Sequence, residues 1–197
     1  MRKEFYGANE FPQYHLYTLK LLAQTCLESN KVKEAIFYIE EGEEICLHNK
    51  TIGIEGRDYA QLLALKADFL YLNLKFTEAI ECYEKVFETY SKIDGLKSEG
   101  CANCLKQIVK IHFQQGNYTE AILYVEECIE TFLESGAQNK DFQLYDLFFI
   151  KLEILNKKTD RDHDFEEKYI DCYTKIKDLS KSLYGSKDKR TLRALTN

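Results

Sequence analysis

Residues 75–84 read Lys-Phe-Thr-Glu-Ala-Ile-Glu-Cys-Tyr-Glu, and two other stretches of the chain repeat this pattern. Residues 31–40 read Lys-Val-Lys-Glu-Ala-Ile-Phe-Tyr-Ile-Glu, and residues 117–126 read Asn-Tyr-Thr-Glu-Ala-Ile-Leu-Tyr-Val-Glu. The alanines at the centre of the copies recur at intervals of 44 and 42 residues: Ala35, Ala79 and Ala121. Self-similarity at such a period predicts a repeat architecture, in which each unit buries its apolar face against its neighbours.

The composition of the chain predicts an all-α fold. Its 197 residues include only 1 proline and 9 glycines, while 45% are hydrophobic and 30% are charged. Leucine, alanine, glutamate and lysine are good helix formers, and the turn residues that a β fold needs are scarce. A chain of this length is sufficient for a short solenoid of four or five helix pairs.

Charge and cysteine content exclude several classes of function. The net charge of −6 argues against a nucleic-acid surface, because phosphate binding requires a basic face. The 7 cysteines are an odd number, and residues 1–5 turn polar at once instead of leading into the apolar core of a secretory signal. No apolar run is long enough to insert into a membrane. We therefore expect a cytoplasmic protein with free thiols.

Apolar periodicity and turn signals divide the chain into helix pairs. We predict repeats at about residues 13–48, 58–93 and 97–133, a degenerate pair at 141–184, and the start of a further helix at 189–197. Together these form a single predicted domain over residues 1–197. In the last complete helix, apolar residues recur at steps of three and four and predict one buried stripe that includes Ile176, Leu179 and Leu183.

These positions resemble those of the tetratricopeptide repeat family. In that family the first helix of a pair (helix A) carries a small residue twelve places before the alanine of the second (helix B), and a large residue four places earlier still. The small position matches Ala23, Ala67 and Val109, and the large position matches Leu19, Leu63 and Leu105. The resemblance implies a right-handed α-solenoid of antiparallel helix pairs. The aromatic residue that the family places four residues after the alanine is present only at Tyr83.

The period points to a particular variety of the family. It exceeds the usual 34 residues and is closer to that of the longer repeats in kinesin light chains. Residues 183–195 also resemble the linker between the repeats of that family. HEAT-type repeats have a similar period. The Glu-Ala-Ile element, paired with a small residue in helix A, favours the tetratricopeptide interpretation.

No pattern of residues indicates catalysis, a cofactor or a metal. Cys101 and Cys104 have the spacing of zinc ligands and His112 follows on the same helix, but no second pair accompanies them. We interpret all three as core residues and expect a non-enzymatic chain without cofactor or metal.

The resemblance implies that partners bind the concave surface lined by the A helices. The positions concerned are Tyr17, Lys20, Gln24, Gln61, Ala64, Asp68, Asn103, Lys106 and Lys110, with Tyr71 and Phe113 as apolar anchors at the inner rim. The Lys, Asn and Arg set with which some members hold a terminal carboxylate is not matched. Because Lys106 and Lys110 share a helix face, we expect the third repeat to prefer an acidic or mixed partner.

The leading hypothesis is a protein–protein interaction scaffold or adaptor that docks a peptide, a helix or a partner subunit, as family members do in microtubule-motor and ciliary assemblies. One alternative is a structural subunit that contacts partners through its ends and convex face. Another is an accessory domain of a larger enzyme. The sequence stops just inside a helix, so we also expect the C-terminal end to be capped by a partner or by self-association.

Overall fold

A computed structural model of the chain describes residues 12–49, 52–137, 139–158 and 164–185. In these residues the chain forms helices and no strand. The helices are α1 (Pro12–Glu28), α2 (Val32–His48), α3 (Arg57–Leu72), α4 (Phe76–Asp94), α5 (Glu99–Gln115), α6 (Tyr118–Glu134), α7 (Lys140–Lys157) and α8 (Phe165–Tyr184). Two compact units comprise Met1–Ile93 (unit 1) and Asp94–Asn197 (unit 2). The single domain over 1–197 stays a prediction, and the further helix at 189–197 lies outside the described residues.

The helices of the structure lie close to the predicted repeat bounds, with small differences at their ends. Helix α2 ends at His48 and α8 at Tyr184, which are the predicted ends of their repeats. Helix α5 begins at Glu99 and not at residue 97, because the hydroxyl of Ser98 accepts a hydrogen bond from the backbone N–H of Cys101 at 3.3 Å. A serine in this role satisfies one of the N–H groups that lack a partner at a helix start.

The turns from helix A to helix B repeat one backbone geometry. Asn30, Leu74 and Gly116 occupy equivalent positions and have φ values of 57°, 60° and 77°. The residue after each donates its N–H to the carbonyl five positions earlier, as in Lys31 to Cys26 at 2.7 Å and Lys75 to Leu70 at 2.9 Å. This is the Schellman arrangement, which ends a helix with a left-handed residue. It reverses the chain in a few residues and so sets helix B antiparallel to helix A.

In unit 1, α3 packs against both α1 and α2. The centre of this core consists of fully or almost fully buried residues: Leu16, Ala23, Ile39, Cys46 and Leu62. Helix α2 approaches its neighbours closely at Gly42, where an added β-carbon would lie 3.0 Å from the methyl groups of Leu62 and 3.2 Å from one of Leu16.

In unit 2, the helices α5 to α8 pack in sequence order. The thiol of Cys128 donates to the carbonyl of Ala102 at 3.2 Å and thereby links α6 to α5. The rings of His112 and Tyr124 stack with their centroids 5.2 Å apart, which places His112 in the packing between the same helices. The predicted stripe of α8 is buried at Cys172 and Ile176 and half-buried at Leu179 and Leu183.

The register deduced from the sequence is confirmed by burial. Each alanine of the Glu-Ala-Ile elements is 0% exposed, as are the small residues of helix A that match them. These positions are Ala35, Ala79, Ala121, Ala23, Ala67 and Val109. Small side chains there allow the two backbones of a pair to approach closely.

Candidate partner-binding surfaces on the A helices

Unit 1 contains a pocket of about 330 Å³ between α1, α3 and the end of α4. We call it the unit 1 pocket, and its lining residues are Tyr17, Lys20, Leu21, Gln24, Gln61, Ala64, Leu65 and Tyr90. Five of these eight positions were derived from the sequence as concave-surface residues. The other three, Leu21, Leu65 and Tyr90, were missed. The first two follow a predicted residue directly along the chain, and Tyr90 comes from a helix B.

Lys20 is an internal residue of this surface. Its side chain is only 11% exposed, and its ammonium group lies 2.5 Å from Oδ1 of Asp58 and 2.7 Å from Oε1 of Gln61. Burying an ammonium group is unfavourable unless it is paired and hydrogen-bonded. The charge of Lys20 is therefore compensated within unit 1, and the side chain links α1 to α3.

Two glutamines lie in the lining with their amide orientations set by their partners. An ammonium group can only donate, so Gln61 must present its oxygen to Lys20, which leaves its N–H groups for another acceptor. Gln24 donates its Nε2 to the carboxylate of Glu28 at 3.0 Å, which leaves its oxygen for another donor. The pocket thus offers a donor and an acceptor, both neutral.

The remaining walls are apolar or aromatic. Tyr17 is 58% exposed and Leu21 is 47% exposed, although both are large side chains with apolar surface. Tyr90 is half-buried, and the guanidinium of Arg57 lies 5.8 Å from its ring centroid. Ala64 occupies the position that corresponds to Lys20 and Lys106 in neighbouring repeats. Its small side chain leaves room in the pocket that a lysine would fill.

The two other predicted residues of unit 1 lie outside the pocket lining. The carboxylate of Asp68 accepts a hydrogen bond from the hydroxyl of Tyr83 at 2.5 Å, which joins α3 to α4. The ring of Tyr71 lies 5.9 Å from that of Phe76, at the turn between the same helices. Both residues are half-buried.

In unit 2, Lys106 repeats the arrangement of Lys20. Its side chain is 14% exposed, and the ammonium lies 2.6 Å from Oε1 of Gln143 and 3.7 Å from Oδ2 of Asp146, both on α7. Lys110 is exposed and donates to Gln107 at 3.2 Å. Lys106 is thus engaged inside the unit, so the expected preference for an acidic partner depends mainly on Lys110 and stays a prediction.

The last two predicted residues of unit 2 differ in exposure. Asn103 is exposed on α5. Phe113 is half-buried, with its ring 5.9 Å from that of Tyr118 across the turn to α6.

The cysteines belong to the packing of both units. All 7 are free and buried. Burial raises the pKa of the Cys104 thiol to about 12, and burial also raises the pKa of Cys101. Within the described residues no group of three or more side chains is arranged to hold a metal ion. The metal-free state remains a prediction.

The sequence model of the tetratricopeptide repeat family matches residues 58–134, which comprise α3 to α6. These residues are tetratricopeptide repeats. No curated protein has a sequence that matches the chain. Tetratricopeptide repeats are protein–protein interaction modules, so the scaffold class predicted from the sequence is supported at this level.

Solved structures extend the tetratricopeptide fold beyond those residues. BtubC (BKLC) from P. vanneervenii superposes with a TM-score of 0.75 at 16% identity, over 86% of this chain and 65% of that chain. A Podosopora anserina protein, described as a kinesin light chain with nearly identical TPR-like repeats, gives TM-scores of 0.69 and 0.58 in two structures. Those matches have 15% and 16% identity, and they cover 94% and 91% of this chain and 83% and 91% of the other. The predicted all-α solenoid fold is confirmed.

The present chain spans only 65% of the length of BtubC. Within the part of the chain that the structure describes, no helix combines the length and apolar character of a bilayer-spanning segment.

Proposed function

We propose that this chain is a non-enzymatic scaffold or adaptor that docks a peptide, a helix or a partner subunit on its A helices. The observation that carries the proposal is the unit 1 pocket, because five of its lining residues are positions at which the repeat family binds its partners. Repeats of this kind present extended binding surfaces built from successive helices. A concave, mostly apolar site with a few polar groups is the usual form of a binding site.

The exposed side chains of α1 provide the contact area that such a scaffold needs. Tyr14, Tyr17 and Leu21 are spaced by three and four residues and therefore share one face of the helix. They are 73%, 58% and 47% exposed. Aromatic residues in this situation contribute strongly to binding because they bury a large area when a partner covers them.

A matched pair of variants tests the scaffold function. The full chain, tagged and returned to cells of its source organism, is purified with its partners as wild type, as Tyr17→Ala with Leu21→Ala, and as Phe37→Ala with Leu47→Ala. The last two residues lie on α2, outside the pocket lining, and are 61% and 64% exposed. We expect the pocket variant to lose a specific partner that the α2 variant retains. Retention by both variants would contradict docking at the pocket.

The assembly that we propose for the scaffold is a cytoplasmic one associated with microtubules, motors or cilia. The support is the similarity in fold to a protein described as a kinesin light chain. Proximity labelling from this chain in its source cells should enrich motor, tubulin or ciliary subunits over a matched unfused label. Enrichment of unrelated proteins alone would contradict this assignment and leave the docking function standing.

A second function is favoured by apolar residues outside the pocket. Phe37 and Leu47 on α2, and Leu123 on α6, are 61%, 64% and 64% exposed. They suit a structural subunit that contacts partners through its convex face or its ends. Loss of partners by the α2 variant alone, in the purification above, would favour this function.

A further inference from the structure

We infer that the unit 1 pocket takes a non-acidic, extended peptide segment with one large apolar side chain, and that the Lys20–Asp58 ion pair excludes acidic segments. The inference rests on the proposed function, since it names the class of partner for the same site. Three features of the pocket carry it: its charge, its hydrogen-bonding groups and its walls.

The pocket has no uncompensated positive charge. Among the described residues that line it, Lys20 alone is charged, and its ammonium is held by Asp58 and Gln61 at 2.5 and 2.7 Å. The Asp58 side chain is 51% exposed, so its carboxylate also faces solvent beside the site. An incoming carboxylate would have to compete with Asp58 for Lys20 and would be repelled by it at short range. A neutral segment meets neither obstacle.

The two glutamines match the hydrogen-bonding needs of a peptide backbone. Gln61 has N–H groups to donate because its oxygen faces Lys20, and Gln24 has an oxygen that can accept because its nitrogen faces Glu28. One peptide unit has one carbonyl to accept and one N–H to donate. An extended segment exposes both groups, whereas a helix uses them internally. The lining therefore favours an extended segment.

The walls favour one large apolar side chain. Tyr17, Leu21, Leu65 and Tyr90 surround a space of about 330 Å³, which Ala64 leaves unfilled. Burial of apolar surface against such walls supplies most of the affinity in peptide recognition, while the polar groups fix the orientation. Together with the neutral lining, this gives a partner defined by its apolar anchor and by the absence of acidic neighbours.

The experiment selects peptides from a displayed library of random decapeptides on the immobilised full chain. We expect wild-type selection to enrich segments with one Phe, Tyr, Trp, Leu or Met and no Asp or Glu beside it. Ala64→Lys, which places a cation in the pocket, should weaken a selected synthetic peptide by at least about tenfold. Phe37→Ala, outside the lining, should leave its affinity unchanged.

A second variant tests the role of the ion pair directly. Asp58→Asn removes the carboxylate that holds Lys20, so the ammonium becomes available to a ligand. We expect this variant to bind a version of the selected peptide with Asp beside the anchor about three- to fivefold more tightly than wild type does, with a gain that falls as salt is raised. Circular dichroism verifies the helical content of each variant. If the Ala64→Lys chain does not fold, Tyr17→Ala replaces it, because Tyr17 is exposed and its substitution should not disturb the core.

The outcomes separate the two proposals. Peptides that require the pocket but carry acidic residues beside the anchor would overturn the inference and leave the docking function standing. Selection of no peptide that depends on Ala64 or Tyr17 would overturn both. An Asp58→Asn chain with unchanged preference would show that the ion pair does not set the specificity.

Discussion

Leu74 adopts a backbone conformation that leucine rarely accepts. Its φ of 60° is that of the equivalent Gly116 and Asn30, which are suited to a left-handed turn, whereas leucine is not. Holding a residue with a β-carbon in this region costs about 1–2 kcal/mol. The Schellman hydrogen bonds of the turn, such as Leu74 N–H to the carbonyl of Tyr71 at 2.9 Å, keep it in place.

Replacing Leu74 with glycine should therefore stabilise the chain. The relief of about 1–2 kcal/mol exceeds the cost of about 0.4–1 kcal/mol from the greater freedom of glycine in the unfolded chain. Because Leu74 is 67% exposed, little burial is lost. Urea denaturation should show a gain of about 0.5–1 kcal/mol. The reverse change, Gly116→Ala, should destabilise, and a loss of stability in Leu74→Gly would show that this turn is not strained.

Gly42 presents two opposing effects at one position. Alanine is about 1 kcal/mol better than glycine within a helix, but its β-carbon would meet three methyl groups of Leu62 and Leu16 at 3.0–3.2 Å. Both leucines are 0% exposed and have little room to move, and overpacking costs about 1–3 kcal/mol. We expect Gly42→Ala to lower the free energy of unfolding. In a Leu62→Ala background the same change should become stabilising, and equal effects in both backgrounds would exclude the predicted contact.

The buried thiols should be inert while the chain is folded. Burial raises the pKa of Cys46 to about 11 and that of Cys128 to about 12, so both remain neutral at pH 8, and the thiolate is the reactive form. The stability that these groups contribute is fully present below their unfolded pKa of about 8.5 and is lost as the pH rises towards 11–12. An aromatic disulfide reagent at pH 8 should label all 7 cysteines only after unfolding. Rapid labelling of the native chain would contradict the burial.

At the scale of helices, the register of each pair depends on the alanines of the Glu-Ala-Ile elements. Ala79 is 0% exposed, while Glu81 on the same helix faces solvent. Ala79→Leu should lower the free energy of unfolding by about 1–3 kcal/mol through overpacking, and Glu81→Leu by less than about 0.5 kcal/mol. Thermal unfolding followed by circular dichroism compares them. Equal effects would mean that the helix faces have been assigned wrongly.

Substitutions of the two lysines of α5 should also differ in their effect on the free energy of unfolding, because one lysine is buried and the other is exposed. Lys106 is 14% exposed and bonded to Gln143 on α7, whereas Lys110 is exposed. Lys106→Met leaves Gln143 and Asp146 without their cation, so it should cost about 1–3 kcal/mol. Lys110→Met should change the free energy of unfolding by less than about 0.5 kcal/mol. If Lys106→Met is neutral in urea denaturation, α7 does not hold the Lys106 side chain, and both lysines of α5 are available to an acidic partner.

The sequence was sufficient to predict the helices and their register, because the small and large residues that pack inside a pair lie at fixed spacings. It could not predict the partners of the lysines. Asp58 and Gln61 lie 38 and 41 residues from Lys20, and whether they reach it depends on how consecutive A helices pack. Lys20 and Lys106 were therefore predicted as partner-binding groups, although their ammonium groups are engaged internally. The contribution of Tyr90 to the pocket was unpredictable for the same reason, since no spacing rule connects the end of a helix B to an A helix.

At the scale of the whole molecule, the proposed function requires that a partner cover the A helices. The repeat fold is shared with BtubC and with a protein described as a kinesin light chain, but at 15–16% identity this similarity establishes the fold alone. The net charge of −6 and the compensated lysines both argue against a partner held mainly by negative charge. The partner must therefore be identified by an experiment that detects its direct contact with the pocket.

Photo-crosslinking in cells of the source organism tests this contact most directly. A benzophenone amino acid replaces Tyr17 in the pocket lining or, in a separate chain, Phe37 on α2, which is similarly exposed at 61% against 58%. We expect irradiation to capture a discrete partner from position 17 but not from position 37, and we expect Ala64→Lys to abolish the capture. Capture from position 37 alone, or capture from position 17 that Ala64→Lys leaves intact, would contradict docking at the unit 1 pocket.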